Sequence, residues 1–517
     1  MQNWNDNMRN VRDKEKNKNV LIIGGVAAGT SAASKARRID PNADIKIIQQ
    51  EPVVSYGACG IPYVIEGLID DFTNLIARSA EQFEHKYNID IIENTRAVKI
   101  DAKDKQVYAE VQGNTDDKNN NNNNNISNSK SNSRKFMIFD YDSLVIATGA
   151  RSVIPKIKGI FVNKEINNTN DNRKSTMVKG LLLLRNYGDG FYIRDSIKNS
   201  KSCVIVGAGL IGIEMAQAFR RRGMDVIIVE MADRLLPSLL DKDMAEIVKR
   251  ELEHNGVKVI LGEGLQEVIT SSSPHSFSSS SSPVVRRLKR IRTTKNEEIA
   301  ADLVLLGTGV RPNSEIAREA GIELGVANAI KVDEHMRTNI PDIFAAGDCA
   351  TSRNYITNKD VYLPLGTTAN KQGRVAGENA AGGNAEFRGI AGSAITKTFD
   401  LYVGKTGLNR KEALQNGFDP IEKEITSFTR ADYYPCKKSI SIKLVADRKS
   451  RRLLGTQIVG GEAVKGRIDL VAFALMMSAT VDDLANYDAC YVPPASPVWE
   501  PINIAASQTA KLLARDS

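Results

Sequence analysis

The chain has 517 residues, of which 42% are hydrophobic, so it is too long for one hydrophobic core and apolar enough to build two to three domains. Its 70 basic and 62 acidic residues leave a formal charge of +8, which is too modest to indicate a nucleic-acid partner. The five cysteines are scattered without a CxxC pair, which argues against a disulfide framework and against a metal site such as structural zinc.

No targeting or membrane-spanning segment stands out in the sequence. Residues 1–18 are polar and charged, and no run of about 18 apolar residues occurs. We therefore expect a disordered tail over residues 1–18, no membrane association and a cytoplasmic location, where the reducing environment suits unpaired cysteines.

The first element with chemical content is a strand, a glycine turn and a helix near the N-terminus. Residues 20–23 form an apolar strand, residues 24–29 read GGVAAG, and an alanine-rich helix follows up to Arg38. Such a turn lets the backbone approach a pyrophosphate, and the helix N-terminus supplies amide donors, so the pattern predicts a bound dinucleotide. The next strand, 45–48, ends in Gln49, which can hydrogen-bond but carries no charge. The predicted contacts are Gly24, Gly25, Ala27, Ala28, Gly29 and Gln49.

Cys59 is the candidate redox residue. It lies in the segment VSYGACGIPY, residues 54–63, and follows the first glycine turn in sequence. An isolated intracellular cysteine is usually a small buried hydrophobe. Its position after a dinucleotide turn favours instead a thiol that faces a flavin. A helix beginning near Gly60 and the electrophilic ring of the flavin are both expected to lower the pKa of the thiol.

Three low-complexity stretches interrupt the pattern of strands and helices. They cover residues 114–135, 163–176 and 271–283, and they include an asparagine run and a serine run. Such sequences cannot bury enough apolar surface to offset the entropy lost on ordering, so we predict surface loops. The basic stretch 286–292 alternates charged with apolar residues, which predicts a half-exposed strand.

A second glycine turn repeats the first. Residues 203–206 form an apolar strand that precedes the sequence GAGLIGIE, and residues 225–230 form the next strand. Its last residue, Glu230, is well placed for a ribose 2′-hydroxyl and would repel a 2′-phosphate, which favours NADH over NADPH. Arg234 nearby leaves NADPH as an alternative. The predicted contacts are Gly207, Gly209, Gly212, Glu214 and Glu230.

Further motifs occur in a family-specific order. After the first turn and the Cys59 segment come ATG at 147–149, the second turn, GTGVRPN at 307–313 and AAGD at 345–348. The order resembles that of the pyridine nucleotide-disulfide oxidoreductases over nearly the whole chain. LPLGTTANKQGR at 363–374 and YVPPASPVW at 491–499 resemble signatures of its single-cysteine branch. The resemblance assigns FAD contacts to Ala147, Thr148, Gly149, Gly347 and Asp348, with Asp348 at the ribitol.

The resemblance implies an α/β fold with two Rossmann-like dinucleotide-binding domains, one for FAD and one for NAD(P)H, and a C-terminal α+β dimerisation domain. We expect the FAD-binding domain over residues 19–160 and 302–383, the NAD(P)H-binding domain over 161–301 and the dimerisation domain over 384–517. The enzyme would then be a homodimer that acts on a small-molecule disulfide.

Cys59 has no second cysteine near it in sequence, which limits the redox forms that it can adopt. Residues 58–66 hold no second cysteine, so Cys59 must store its oxidising equivalent as a mixed disulfide with a small thiol or as a sulfenic acid. Oxidases and peroxidases of the family carry a histidine where Ala27 stands here, and alanine cannot donate a proton to a peroxide. This difference favours a coenzyme A-disulfide reductase that passes electrons from NADH through FAD to Cys59.

Alternatives from other classes stay open. They are an NADH oxidase or peroxidase, an NAD(P)H-dependent sulfur, polysulfide or coenzyme A-persulfide reductase, and a flavoprotein that serves as a redox sensor or electron donor.

The resemblance also implies a substrate site. In coenzyme A-disulfide reductases the positions of Ala27, Lys35, Arg38, Ser55 and Cys59 line the coenzyme A site. Lys35 and Arg38 are three residues apart on one helix face and could together bind a phosphorylated nucleotide tail.

The resemblance further implies that a tyrosine of the partner subunit donates a proton to the leaving thiolate. The candidates are Tyr491 and Tyr402.

Overall fold

The structure is a computed structural model that describes residues 17–112, 135–161, 177–271 and 286–515. Most of the predicted N-terminal tail and of the three low-complexity stretches lies outside these ranges, so their conformations stay predictions.

The first sheet is parallel and five-stranded. Its order is Ile343–Ala345, Ser143–Ile146, Asn19–Ile23, Asp44–Ile48 and Asp90–Ile92. Its central strands are almost wholly buried and apolar, as expected for a parallel sheet covered on both faces. The first glycine turn therefore lies at the carboxyl edge of a doubly wound sheet, where such folds bind ligands.

The second sheet repeats this architecture. It is also parallel and five-stranded, in the order Val257–Leu261, Asp225–Glu230, Ser202–Val206, Leu303–Leu306 and Leu181–Leu182. The predicted domain boundary put residues from 302 onward in the FAD-binding domain. The strand Leu303–Leu306 belongs instead to the second sheet. The chain returns to the first unit only after that strand, since Ile343–Ala345 is the next strand to pair in the first sheet.

The C-terminal sheet is antiparallel, which completes the predicted fold class. Its order is Ala394–Thr398, Leu401–Gly407, Leu453–Gly460, Ser439–Asp447 and Pro420–Phe428. Helices Val464–Met476 and Pro501–Arg515 pack on it and bury a shared apolar core.

Smaller sheets and the helices complete the described part. The smaller sheets comprise Thr95–Asp101 with Gln106–Val111 and Phe136–Asp140, Leu265–Ser271 with Arg287–Thr293 and Glu298–Ala300, Ala150–Ser152 with Val310–Pro312, and Ser352–Asn354 with Lys359–Val361. The other α-helices are Ala27–Ile39, Ile61–Glu66, Ala80–Tyr87, Tyr187–Ile197, Leu210–Arg221, Lys242–His254, Glu315–Glu319, Gly366–Ala380, Arg410–Gln415 and Val481–Asn486, and the 3-10 helices are Ala58–Gly60, Phe72–Leu75 and Val326–Asn328. The strand Arg287–Thr293 is half-exposed, as the alternating pattern predicted. None of the helices in the described ranges is long and apolar enough to cross a membrane.

Small residues let two helices meet beside the first turn. Helices Ala27–Ile39 and Gly366–Ala380 pack closely, and a Cβ on Gly373 or Gly377 would overlap the backbone of Ala28 or Ala32. This close approach brings the segment around Gly347 against the first turn, since a Cβ on Gly347 would lie 2.8 Å from the Cβ of Ala28.

Candidate functional site

Cys59 lies where the two dinucleotide-binding units meet. It is the middle residue of the 3-10 helix Ala58–Gly60, and the helix Ile61–Glu66 follows directly. That helix packs against Leu210–Arg221, the helix of the second glycine turn. The side chain of Cys59 is exposed, so a substrate can reach the thiol.

The first turn gathers most of the residues predicted to contact FAD. The amide of Gly25 donates to Gln49 Oε1 at 2.8 Å, so the uncharged Gln49 braces the turn itself. Gly24 has a φ of +105°, and a Cβ there would overlap the carbonyl oxygen of Ala147. Ser55, with a φ of +50°, donates its amide to the carbonyl of Gly25 at 2.9 Å. The turn, the 147–149 motif and the start of the Cys59 segment therefore form one continuous wall.

The second turn is braced by its own acid. Glu230 accepts hydrogen bonds from the amides of Ala208 and Ala232, both at 2.7 Å. Gly207 has a φ of +103°, and a Cβ on Gly212 would overlap the carbonyl oxygen of Gly207. A Cβ on Gly209 would meet nothing within 4 Å, so the backbone there is open to an approaching ligand.

Both turns fit the groups that the sequence predicts. In each, a helix begins beside the turn at the carboxyl edge of a parallel sheet. The first turn would hold the pyrophosphate of FAD, and the second that of NAD(P)H.

The protein atoms around Cys59 oppose the lowering of its pKa that the sequence led us to expect. Neighbouring protein atoms desolvate the thiol and raise its pKa, and the negative charges of Glu214 and Asp348 add to that rise. The positive charge of Arg185 acts in the opposite direction. The following helix, Ile61–Glu66, is only six residues long.

Glu214 lies closer to the thiol than its place in the second turn suggested. Its Oε1 accepts a hydrogen bond from Thr396 Oγ1 of the C-terminal sheet at 2.8 Å. Burial raises the pKa of Glu214, and its charge raises the pKa values of Cys59 and Tyr63. Glu214 therefore bonds to the C-terminal sheet and acts electrostatically on the candidate redox site.

Arg185 is a site residue that sequence reasoning missed. Its guanidinium donates to Asp348 Oδ2 at 2.5 Å and to the carbonyl of Ala150 at 2.9 Å. The ion pair holds Asp348, predicted at the FAD ribitol, against the second unit. Arg185 lies shortly after the strand Leu181–Leu182, and no sequence motif includes it. Only the tertiary structure therefore reveals Arg185 as a site residue.

The two candidate proton donors, Tyr491 and Tyr402, lie in different surroundings. The hydroxyls of Tyr491 and Tyr433 lie 2.9 Å apart on an exposed surface, and this hydrogen bond, with burial a smaller cause, raises the pKa of Tyr491. The amide of Ala431 donates to the carbonyl of Pro493 at 3.1 Å and joins the two segments that carry the tyrosine pair. Tyr402 lies instead within the strand Leu401–Gly407. Sequence reasoning missed Tyr433, which no motif distinguishes from Tyr434 beside it.

The candidate coenzyme A residues lie along the first dinucleotide helix. Lys35 Nζ lies 2.8 Å from Glu378 Oε2, so part of its charge is already matched. Arg38 is exposed, and its side chain makes no ion pair or hydrogen bond with another residue of the described ranges. Ala27 is half-exposed at the helix start.

Comparison with known proteins identifies the family. Residues 18–373 match the pyridine nucleotide-disulphide oxidoreductase family, and residues 393–501 match the dimerisation domain of that family. The chain belongs to this family. Enzymes of the family are FAD-dependent and bind NAD(H), so the protein is an FAD-dependent NAD(P)H oxidoreductase, and the dimerisation domain supports a homodimer.

Three relatives cover nearly the whole chain. An NADH oxidase of Methanocaldococcus jannaschii is 36% identical over 95% of this chain and 99% of its own length. An NAD(P)H coenzyme A polysulfide/persulfide reductase of Pyrococcus horikoshii is 34% identical over 95% of this chain and 98% of its own. Among solved structures, an NAD-dependent persulfide reductase from A. fulgidus superposes with a TM-score of 0.83 at 35% identity, over 96% of this chain and 83% of its own.

Proposed function

We propose that this oxidoreductase reduces substrates in which a sulfur atom is bonded to the sulfur of coenzyme A, with coenzyme A disulfide the first candidate and NADH the electron donor. The observation that carries the proposal is Cys59, an exposed thiol between two dinucleotide turns with no second cysteine beside it. Without a protein partner, the other sulfur of its disulfide must come from the substrate.

The covalent step belongs to Cys59. Its thiolate attacks one sulfur of the substrate, forms a mixed disulfide with coenzyme A and expels the second sulfur as a thiolate. The positive charge of Arg185 favours the attacking thiolate, in opposition to desolvation by neighbouring atoms and to the charges of Glu214 and Asp348. FAD bound at the first turn would pass on two electrons from NADH. These electrons would reduce the mixed disulfide, restore the Cys59 thiol and release coenzyme A. The exposed Arg38, with Lys35, is placed for the phosphates of the substrate.

Glu230 supports NADH as the donor. Its carboxylate is fixed beside the second turn by two backbone amides, so its negative charge stays where a 2′-phosphate would approach. Repulsion at that point disfavours NADPH.

Mass spectrometry of the purified, non-reduced protein tests the substrate class. We expect a coenzyme A adduct on the tryptic peptide that contains Cys59, because the resting oxidised form is the mixed disulfide. A Cys59 found only as sulfenic or sulfinic acid, with no adduct, contradicts the proposal and favours peroxide chemistry. Turnover with coenzyme A disulfide and with coenzyme A persulfide, each under anaerobic conditions, then separates the two sulfur substrates.

A second candidate is NADH oxidation by oxygen. The relative from M. jannaschii that carries this name supports it. Ala27 speaks against a peroxide-handling site, since it supplies no proton donor beside Cys59. Oxygen consumption with NADH alone, compared with anaerobic disulfide reduction, decides between the two.

We further propose that Tyr491 protonates the leaving thiolate in the partner subunit's active site. A tyrosine hydroxyl is protonated at neutral pH, and the exposed position of Tyr491 leaves it free to meet another subunit. The hydroxyl of Tyr433 holds it in place.

Replacing Tyr491 with phenylalanine is expected to lower the rate of disulfide reduction about 10- to 100-fold and to leave flavin reduction by NADH unchanged, because only the proton donor is lost. Tyr434→Phe is the matched control and should retain full activity. If Tyr402→Phe lowers the rate and Tyr491→Phe does not, the proton donor is Tyr402.

The rate of disulfide reduction should fall at alkaline pH. Tyr491 donates its proton below its raised pKa, and the contribution is lost as the pH rises through that value. Tyr433→Phe removes the hydrogen bond that is the main cause of the rise, so the alkaline limb of the rate profile should move to lower pH.

A further inference from the structure

A row of four polar side chains crosses the C-terminal sheet where it meets the second nucleotide-binding unit. In register across neighbouring strands, Lys405 pairs with Gln457, Gln457 with Lys443, and Lys443 with Glu424. Three of them are buried: Lys405 is 6% exposed, Gln457 1% and Lys443 3%. We call these four residues the ladder.

The ladder contacts the segment just before the helix Lys242–His254. Lys405 Nζ donates to the carbonyl of Ser238 at 3.3 Å. Gln457 makes a two-point contact with Asp241: it accepts from the Asp241 amide at 2.7 Å and donates to Asp241 Oδ2 at 2.8 Å. Lys443 forms ion pairs with Asp241, at 3.7 Å, and with Asp243.

The same segment also contacts the second glycine turn. Residues 231–241, here called the linking segment, begin directly after Glu230. The amide of Leu236, in the middle of the segment, donates to the carbonyl of Ala208 in the turn at 2.9 Å, and Leu236 has a φ of +48°. Arg234 donates to the carbonyl of Leu240 at 2.8 Å and stiffens the part between.

The chemistry of the ladder argues for a positioning role. Taking two lysines out of water costs free energy that apolar residues of similar size would not, so the ladder is a poor way to gain stability alone. Its contacts are directional, and they specify the position of Ser238, Asp241 and Asp243 relative to the sheet. An apolar contact would let these residues slide.

We propose that the ladder positions the second turn for dinucleotide binding by fixing the linking segment between the C-terminal sheet and Ala208. This inference rests on the assignment of NADH to the second turn under the proposed function. Lys443 and Gln457 are its positioning residues, and both lie in strands of the C-terminal sheet, outside the second turn.

The test uses the purified holoenzyme and Lys443→Met, which keeps the side-chain length and removes the charge. Anaerobic stopped-flow reduction of the flavin gives the Kd for NADH and the limiting rate separately. Loss of the ladder contact should raise the Kd about tenfold and leave the limiting rate within about twofold, since the redox groups are untouched. Gln457→Leu should act in the same direction and serves where Lys443→Met fails to fold.

Lys423→Met is the matched control. Lys423 precedes Glu424 on the same strand and points to the other face of the sheet, so its loss should leave the Kd unchanged. Folding of each variant is checked by flavin content and thermal midpoint.

Calorimetric binding of ADP-ribose, which carries no nicotinamide, supplies a second readout that needs no electron transfer. A weaker ADP-ribose Kd in both variants supports the ladder even if the protein reduces no disulfide, in which case the proposed function alone fails. Variants that fold and bind NADH and ADP-ribose as tightly as the unmodified protein overturn the inference. So does a parallel loss of affinity, limiting rate and flavin content, which indicates general unfolding.

Discussion

Replacing Cys59 with serine is expected to abolish NADH-dependent reduction of coenzyme A disulfide, with a loss of roughly ten-thousandfold or more. A serine hydroxyl cannot form the mixed disulfide, and no other cysteine lies within residues 58–66 to take its place. Reduction of the flavin by NADH should persist, because it uses the two dinucleotide turns and not the thiol. Steady-state NADH consumption and anaerobic flavin reduction measure the two steps separately.

Cys436→Ser is the control for this experiment. Cys436 is also exposed, but it lies in the C-terminal domain. Its replacement should leave disulfide reduction intact. Full disulfide reductase activity in Cys59→Ser, or a complete loss in Cys436→Ser alone, would show that another thiol carries the chemistry.

Gly29→Ala is expected to yield protein that is nearly free of flavin. The added Cβ would overlap the carbonyl oxygen of Gly24 and lie 3.3 Å from Ile22 Cγ2, so the helix must move away from the strand that bears the turn. Overpacking of this kind costs about 3 kcal/mol. Because flavin binding requires the undistorted turn, restoring that geometry on binding would lower the flavin affinity about a hundredfold. The ratio of flavin to protein absorbance in the purified protein measures the result, and a lowered thermal midpoint should accompany it.

Gly466→Ala provides the comparison at a helical glycine with room for a methyl group. Nothing lies within 4 Å of a Cβ built there, within the helix Val464–Met476. Since alanine favours the helix, flavin content should be unchanged and stability equal or slightly higher. Normal flavin content in Gly29→Ala would remove the argument that the first turn holds FAD.

Local sequence patterns predicted the elements that form locally. The apolar runs before Gly24 and Gly207 became central strands of parallel sheets, because such runs fit strands that helices cover on both faces. The alternating stretch around residues 287–293 became a half-exposed strand for the equivalent reason. The boundary at residue 302 was wrong for the next strand, Leu303–Leu306, because the choice of sheet depends on pairing with distant residues.

By itself, the sequence indicated the family, the α/β fold class with two dinucleotide turns and a dimerisation domain, and the candidate redox cysteine with no cysteine beside it. Each of these can be read from short motifs and from their order along the chain. Only the tertiary structure decided what surrounds that cysteine. Asp348 meets Arg185 across 163 positions of sequence, and Glu214 approaches Cys59 only because two helices pack together. Desolvation and charge depend on such distant neighbours, and for this reason the thiol expected to have a lowered pKa has a raised one.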